Sequence, residues 1–355
     1  MAQLGSALLS SIFGTLSHPI FQGRSNSGSP GSNQPPSSPF ESEMLTRMES
    51  LIRAGESAAT HLDLKWLREA LAAVLAAHVA VGAAIPAARK APALLSDKDA
   101  KSVNDYLDDS VKLLDVCNAL KESFADVERY QMLVQLALHS LDTGESMNEK
   151  KLIRTKAVLN ECIEAMKKKD EELDRQGQQR SRLETCSSML RRMGEKFTTV
   201  TPDGSELLSA MCGAKAVTVF VCGVLAAALL VKPRRPLPSL HVTGPCWAPA
   251  LLRLQSRVKD EVEKRKARGS NSALLQELDC VHSEVKRLHG ILHKMLGDKG
   301  VSKMDEVRES VVTLQRVSEE LQKGMGPLEN QIKELYKMLV STRVALLGVL
   351  SHSRN

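Results

Sequence analysis

The sequence predicts an all-α protein: a helical bundle, one membrane-capable helix and a C-terminal coiled-coil-like helical hairpin. Three observations carry this. Aromatic residues are only 3% of the 355, while Leu, Ala, Val, Glu, Lys and Arg dominate, which suits helices packed through aliphatic side chains better than sheets. Apolar residues recur at alternating spacings of three and four in the C-terminal half. Between the two charged halves lies one uncharged apolar run, Ala216 to Val231.

The elements follow in order. Residues 1–38 read as a tail: from Gly23 to Pro39, fifteen of seventeen residues are Ser, Gly, Pro or Asn, too polar to offset the entropy of ordering. No Lys or Arg precedes Arg24, so Met1 to Phe21 lacks the charged start of a secretory signal, and Ala2 does not suit myristoylation. Ser38-Pro39-Phe40-Glu41 is a capping box with Pro at the first helical position, so a helix begins at Pro39. It carries Met44, Met48 and Leu51 and stops near Gly55. A second helix runs from Leu62 to about Ala84, where Pro86 is expected to break it, with Trp66, Ala70, Ala73 and Ala77 on a small-residue stripe.

Ser96-Asp97 is the next cap. Beyond it an amphipathic stretch carries Val103, Leu107, Val111, Leu114, Cys117, Phe124, Val127, Leu133, Leu136 and Leu141, ending at Thr143-Gly144, with Asp105, Asp108 and Asp109 off the stripe. Helices over about Asn148 to Asp174 and Gln178 to Met193 complete a bundle spanning 39–197, and Thr201-Pro202-Asp203-Gly204 is a turn. The window Lys150 to Arg192 holds twelve Lys or Arg against seven Asp or Glu, a solvated face or one attracted to an anionic bilayer.

The apolar run 216–231 includes Ala216, Val217, Val219, Phe220, Val221, Val224, Leu225, Leu229, Leu230 and Val231. At ~1.5 Å per residue it spans ~24 Å, short of a ~30 Å hydrocarbon core. Lys215 on one side and Lys232, Arg234 and Arg235 on the other suit an interface, and the cationic excess after the run places the C-terminal half in the cytosol if the run spans. The competing reading is a helix apolar on all faces, buried in a soluble bundle.

Five prolines make 232–249 a stiff linker. Coiled-coil-like helices then fill 250–352. Leu274, Leu278, Val281, Val285, Leu288, Leu292 and Met295 form one seam. Met304, Val307, Val311 and Leu314 form another, with Leu328, Ile332, Leu335 and Leu339 after Gly324-Met325-Gly326-Pro327, which should bend or break the last helix.

No catalytic chemistry is legible. His282, His289 and His293 share a face without the H-E-x-x-H pattern and read as solvated edge residues, not a metal site. There is no phosphate-binding loop, dinucleotide fingerprint or nucleophile elbow, and the seven scattered cysteines read as free thiols. No enzyme, cofactor, metal or nucleic-acid partner is expected.

Residues 62–70 (LDLKWLREA), 105–117 (DYLDDSVKLLDVC) and 217–222 (VTVFVC) resemble the plant BYPASS-like proteins, and the resemblance extends from about Ser38 onward. It implies a protein of a poorly characterised plant group linked to root-to-shoot signalling and development, some relatives being linked to exocyst tethering machinery, with no catalytic residues to carry over. The Ala-rich stretch 70–93 departs from those relatives. The reading is therefore a single-pass, membrane-associated adaptor or regulator, mostly cytoplasmic, binding protein partners such as trafficking machinery through helical surfaces. A soluble all-α scaffold with 216–231 as its core helix is the alternative. The oligomeric state is left open.

Overall fold

A computed structural model describes residues 38–57, 62–90, 97–142, 148–175, 181–197, 205–230, 236–267, 273–297 and 304–353. Among these are nine helices and no strand. They are α1 (Pro39–Ser57), α2 (Leu64–Lys90), α3 (Asp97–Asp142), α4 (Glu149–Arg175), α5 (Arg182–Glu195), α6 (Glu206–Leu229), α7 (Ala248–Ala267), α8 (Gln276–Gly297) and α9 (Met304–Ser353). The tail before Ser38, the Ser96 cap, the Thr201 to Gly204 turn and the cations Lys232, Arg234 and Arg235 lie outside the described residues.

Side-chain caps start the helices. The Glu41 amide donates to Ser38 Oγ at 3.3 Å, Trp66 N to Asp63 Oδ1 at 2.6 Å, Lys151 N to Asn148 Oδ1 at 2.9 Å and Glu184 N to Ser181 Oγ at 3.2 Å, each satisfying an amide the helix leaves unpaired. The starts of α2 and α8 are also tied together: Leu64 N donates to Glu277 Oε1 at 3.0 Å and Gln276 N to Leu62 O at 2.9 Å.

The two charged halves share one hydrophobic core. Helix α9 packs along α2, α3 and α8. Its seam is a heptad: Val307, Leu314, Leu321, Leu328, Leu335, Thr342 and Val349 are all buried, with Ile332, Leu339 and Leu346 beside them. α8 and α9 pair as the hairpin the seams imply, and that hairpin rests on the N-terminal helices.

The break expected at Pro86 is absent, and Pro327 does not end its helix either. Pro86 lies inside α2 and Pro327 inside α9. Each ring is exposed, so the carbonyl freed one turn earlier turns toward water, while Ala84 and Ile85, or Met325 and Leu328, hold the opposite face in the core.

The α3 stripe also differs: Val111 and Leu136 are exposed, and Tyr106, Ser110, Leu113, Val116, Leu120, Tyr130 and Val134 are buried instead. Forty-six residues at ~3.6 per turn serve different neighbours along their length, so one fixed stripe cannot describe them. His282, expected at a solvated edge, is buried, with Tyr130 Oη 3.3 Å from its Nδ1.

The linker is not a free spacer. From residue 236 it lies extended against α6 and α7: the Gln255 amide accepts from Leu240 N at 2.8 Å and donates to Leu240 O at 3.2 Å. The chain then reverses near Gly244, whose φ of 105° favours glycine. A Cβ on Gly223 of α6 would sit 2.4 Å from Pro238 Cγ. Gly223→Val is therefore expected to cost about 1–3 kcal/mol in urea unfolding, because a proline ring cannot yield as a flexible side chain does. Pro238→Ala in the same chain should recover part of it.

Candidate functional site

The apolar run is the inner part of a longer helix. Ser205 Oγ accepts from Leu208 N at 3.4 Å, so α6 begins ten residues before Ala216. Ala216, Val217, Val219, Phe220, Val221, Val224, Leu225 and Leu229 are all buried. Leu230 is the partly buried C-cap, and Val231 lies outside the described residues. Helices α1, α2, α3 and α5 pack around α6, and Pro238 covers Gly223. By length and composition two helices, not one, are apolar enough to cross a membrane: α6, 89% buried over its most apolar window, and residues 64–89 of α2, 50% buried.

Lys215, expected at an interface, sits in the interior of α6. Its ammonium pairs with Asp109 of α3 and lies 5.3 Å from the centre of the Phe197 ring. Burial pushes the Asp109 carboxyl up, but hydrogen bonds from Lys112 and Lys215, with their charges, outweigh it and hold the group below its usual value. A double-mutant cycle with Asp109→Asn and Lys215→Met should return a coupling of about 1–2 kcal/mol, since both side chains are largely shielded. A coupling near zero would mean that the pair is solvated.

One turn of α3 joins three other helices. Arg343 of α9 donates to Leu107 O, and to Ser110 Oγ at 2.6 Å. Asp109 holds Lys215 of α6. Tyr106 Oη lies 3.3 Å from Nδ1 of His78 on α2, whose Nε2 is 2.9 Å from Thr218 Oγ1. Thr218 Oγ1 itself donates to Ala214 O at 2.6 Å, so it accepts from His78. That fixes a chain of donors: Tyr106 O–H to Nδ1, Nε2–H to Thr218, Thr218 O–H to Ala214 O. Burial lowers the His78 pKa to about 4 and raises that of Tyr106, so both stay neutral. Tyr106, Leu107, Asp109 and Ser110 lie in the YLDDS stretch that carried the family resemblance. The sequence reading missed His78 and gave Thr218 no role. Their signal was a lone hydrogen-bonding side chain in each of two uncharged runs.

Two cavities lie beside these helices. Beside this turn, Ser102, Asp105, Tyr106, Phe197, Cys212 and Lys215 help line about 70 Å³, room for a few waters. A groove of about 330 Å³ between α5, the linker and α7 is lined in part by Arg191, Glu195, Ser239, Gln255, Ser256, Lys259 and Glu263. Burial pushes the Cys117 and Cys162 thiols up to about 12 and Cys222 well above its ordinary value, which suppresses the reactive thiolate. Among the described residues no three His, Cys, Asp or Glu are gathered as metal ligands: His282 is buried against Tyr130 and His293 is exposed.

The family model described as Protein ROH1-like matches residues 32–201 and 181–350. UPF0496 protein 4 of Oryza sativa subsp. indica is 32% identical over 240 residues, covering 66% of this chain and 49% of the relative. The chain thus spans about half the length of the rice relatives it matches. Protein BPS1, chloroplastic, of Arabidopsis thaliana is 25% identical over 313 residues, 87% of this chain and 81% of the relative. Protein ROH1A of the same plant is 23% identical over 344 residues, 82% and 81%. No solved structure matches.

Proposed function

The chain belongs to the ROH1-like family of plant proteins, and from that premise we propose that it is a non-enzymatic helical adaptor in developmental signalling or trafficking, with its apolar run as the core of the fold. The observation that carries this reading is the burial of α6 on every side from Ala216 to Leu229, with Lys215 just before that run held by Asp109. To cross a bilayer, α6 would have to leave α1, α2, α3 and α5 and take an ion pair apart, exposing their apolar faces. What supports the spanning reading is composition: α6 and α2 are both long and apolar enough.

Alkaline carbonate extraction of membranes from expressing plant cells separates the two readings. Release of the full chain to the soluble fraction is expected. Retention in the pellet after extraction overturns the core-helix assignment. For the adaptor role, affinity capture of the chain from intact membranes should recover a stoichiometric protein partner bound through its helical surfaces, trafficking components being the first to look for. A chain recovered alone under gentle conditions counts against it.

A further inference from the structure

One end of the bundle gathers cations without counter-charges. Helix α9 runs antiparallel to α3, since Arg343 meets Leu107 and Ser110 while Gln135 Nε2 donates to Ser318 Oγ at 3.3 Å. The start of α9 is therefore level with the end of α3. Six residues join α3 to α4 and six join α8 to α9, at most about 25 Å of chain and shorter than any of these helices. The start of α4 and the end of α8 thus lie at that same end. Helix α4 packs on α3 and α8, and α9 packs on the same two, so α4 and α9 occupy opposite corners. At the α4 corner, residues 149–156 and 286–297 carry seven Lys or Arg and one carboxylate, Glu149. The connecting residues 143–148 and 298–303 add two carboxylates and two lysines and leave that balance unchanged, and the acidic start of α9, Asp305 and Glu306, belongs to the opposite corner. Among the described residues the exposed Lys150, Arg154 and Lys294 form no ion pair, whereas Arg316, Lys333 and Lys337 of α9 each pair with a glutamate one turn away. Helix stability does not account for Lys150 and Lys151: they lie in the first turn of α4, where the helix dipole disfavours cations. Ile153, 52% exposed, is one turn from Lys150 and next to Arg154 on the exposed arc of α4.

We propose that this corner docks on the surface of an anionic phospholipid bilayer, with Lys150, Arg154 and Lys294 against the headgroups and Ile153 in the boundary layer beneath them. Charge complementarity carries the proposal: a corner with excess cations and no internal counter-charge is attracted to an anionic leaflet, and each Lys or Arg near the surface adds to the attraction. An exposed apolar side chain set among cations suits the boundary between headgroups and acyl chains, whereas the phosphate backbone of a nucleic acid offers it no apolar contact. Docking of this kind is peripheral and leaves α6 in the core. It needs only the bundle of α3, α4, α8 and α9 and does not rest on the adaptor reading.

Sedimentation of the purified full chain with vesicles tests it. The wild type is expected to bind phosphatidylcholine vesicles that contain phosphatidylserine, to ignore pure phosphatidylcholine vesicles, and to dissociate as salt is raised, because salt screens the surface attraction. Lys150→Gln, Arg154→Gln and Lys294→Gln should each lower the affinity about fivefold and together about 100-fold, with circular dichroism unchanged, since all three side chains are exposed. Ile153→Ser should weaken binding and leave its salt dependence as it is. The control removes the same charge elsewhere: Arg316→Gln, Lys333→Gln and Lys337→Gln combined should bind within about threefold of the wild type. A wild type that ignores the anionic vesicles overturns the proposal. So does an α9 triple variant weakened as much as the corner triple variant, which would make net charge the cause. A wild type that leaves the vesicles free but retains an acidic peptide or RNA through the same three cations also overturns it, and assigns the corner to that partner.

Discussion

Val221→Asp with Leu225→Asp is expected to unfold the chain or drive it into aggregates, with a loss exceeding about 4 kcal/mol. Both side chains are fully buried, one turn apart on α6, in the part of the core where α6 meets its neighbouring helices. Each Asp would either ionise without a partner in apolar surroundings or take up a proton and leave an unsatisfied hydroxyl. Val221 and Leu225 also fill volume that Asp does not, so a packing loss adds to the electrostatic one. The measurement is urea unfolding followed by circular dichroism, with size exclusion to detect aggregates. If α6 faced lipid instead, the same variant would leave the membrane fraction and keep a cooperative unfolding transition in its remaining helices. A soluble, cooperatively folded double variant would therefore refute the core assignment.

The same substitution shows why the sequence left α6 ambiguous. Sixteen uncharged residues satisfy a bilayer and a bundle centre alike, and what distinguishes them is the neighbours, which a one-dimensional pattern does not contain. Lys215 was ambiguous: as a flank of the run it suits an interface, but α6 extends past it to Glu206, and Asp109 of α3 is its partner. Caps and seams were legible because they are local. Ser38 and Asn148 hold amides three residues away, and Leu278, Val281, Val285 and Leu288 repeat within one helix. The break expected at Pro86 does not occur, because the local rule weighs a lost hydrogen bond and not the apolar face that keeps the helix going, and the same face carries α9 through Pro327. The α3 turn at Tyr106 to Ser110 was legible as a family signature, but its work lies in contacts with residues as far away as Arg343.

That turn supplies the second large effect, a loss of stability in mild acid that depends on His78. In the fold His78 is neutral, with a pKa lowered to about 4 by burial from an ordinary value of 6.5. Between those values the unfolded chain binds a proton that the native chain does not, so stability rises with pH at about 1.4 kcal/mol per unit. As pH falls, the loss begins near 6.5, accumulates to about 3 kcal/mol and levels off below about 4, where the native imidazole also protonates. Protonation also strips Nδ1 of the lone pair that accepts from Tyr106, while Nε2 goes on donating to Thr218, so the break falls on the α2–α3 contact. The depressed Asp109 carboxyl acts in a lower window. Its contribution is present above the unfolded value near ~3.9 and is lost as pH falls below it toward the folded one. His78→Gln removes the titration and retains a donor and an acceptor. Urea unfolding of both chains from pH 7 to 4 should give a wild-type curve steeper than the variant's by about one proton. Parallel curves would mean that His78 titrates as it does in water, and the donor chain through Thr218 would then have to be abandoned.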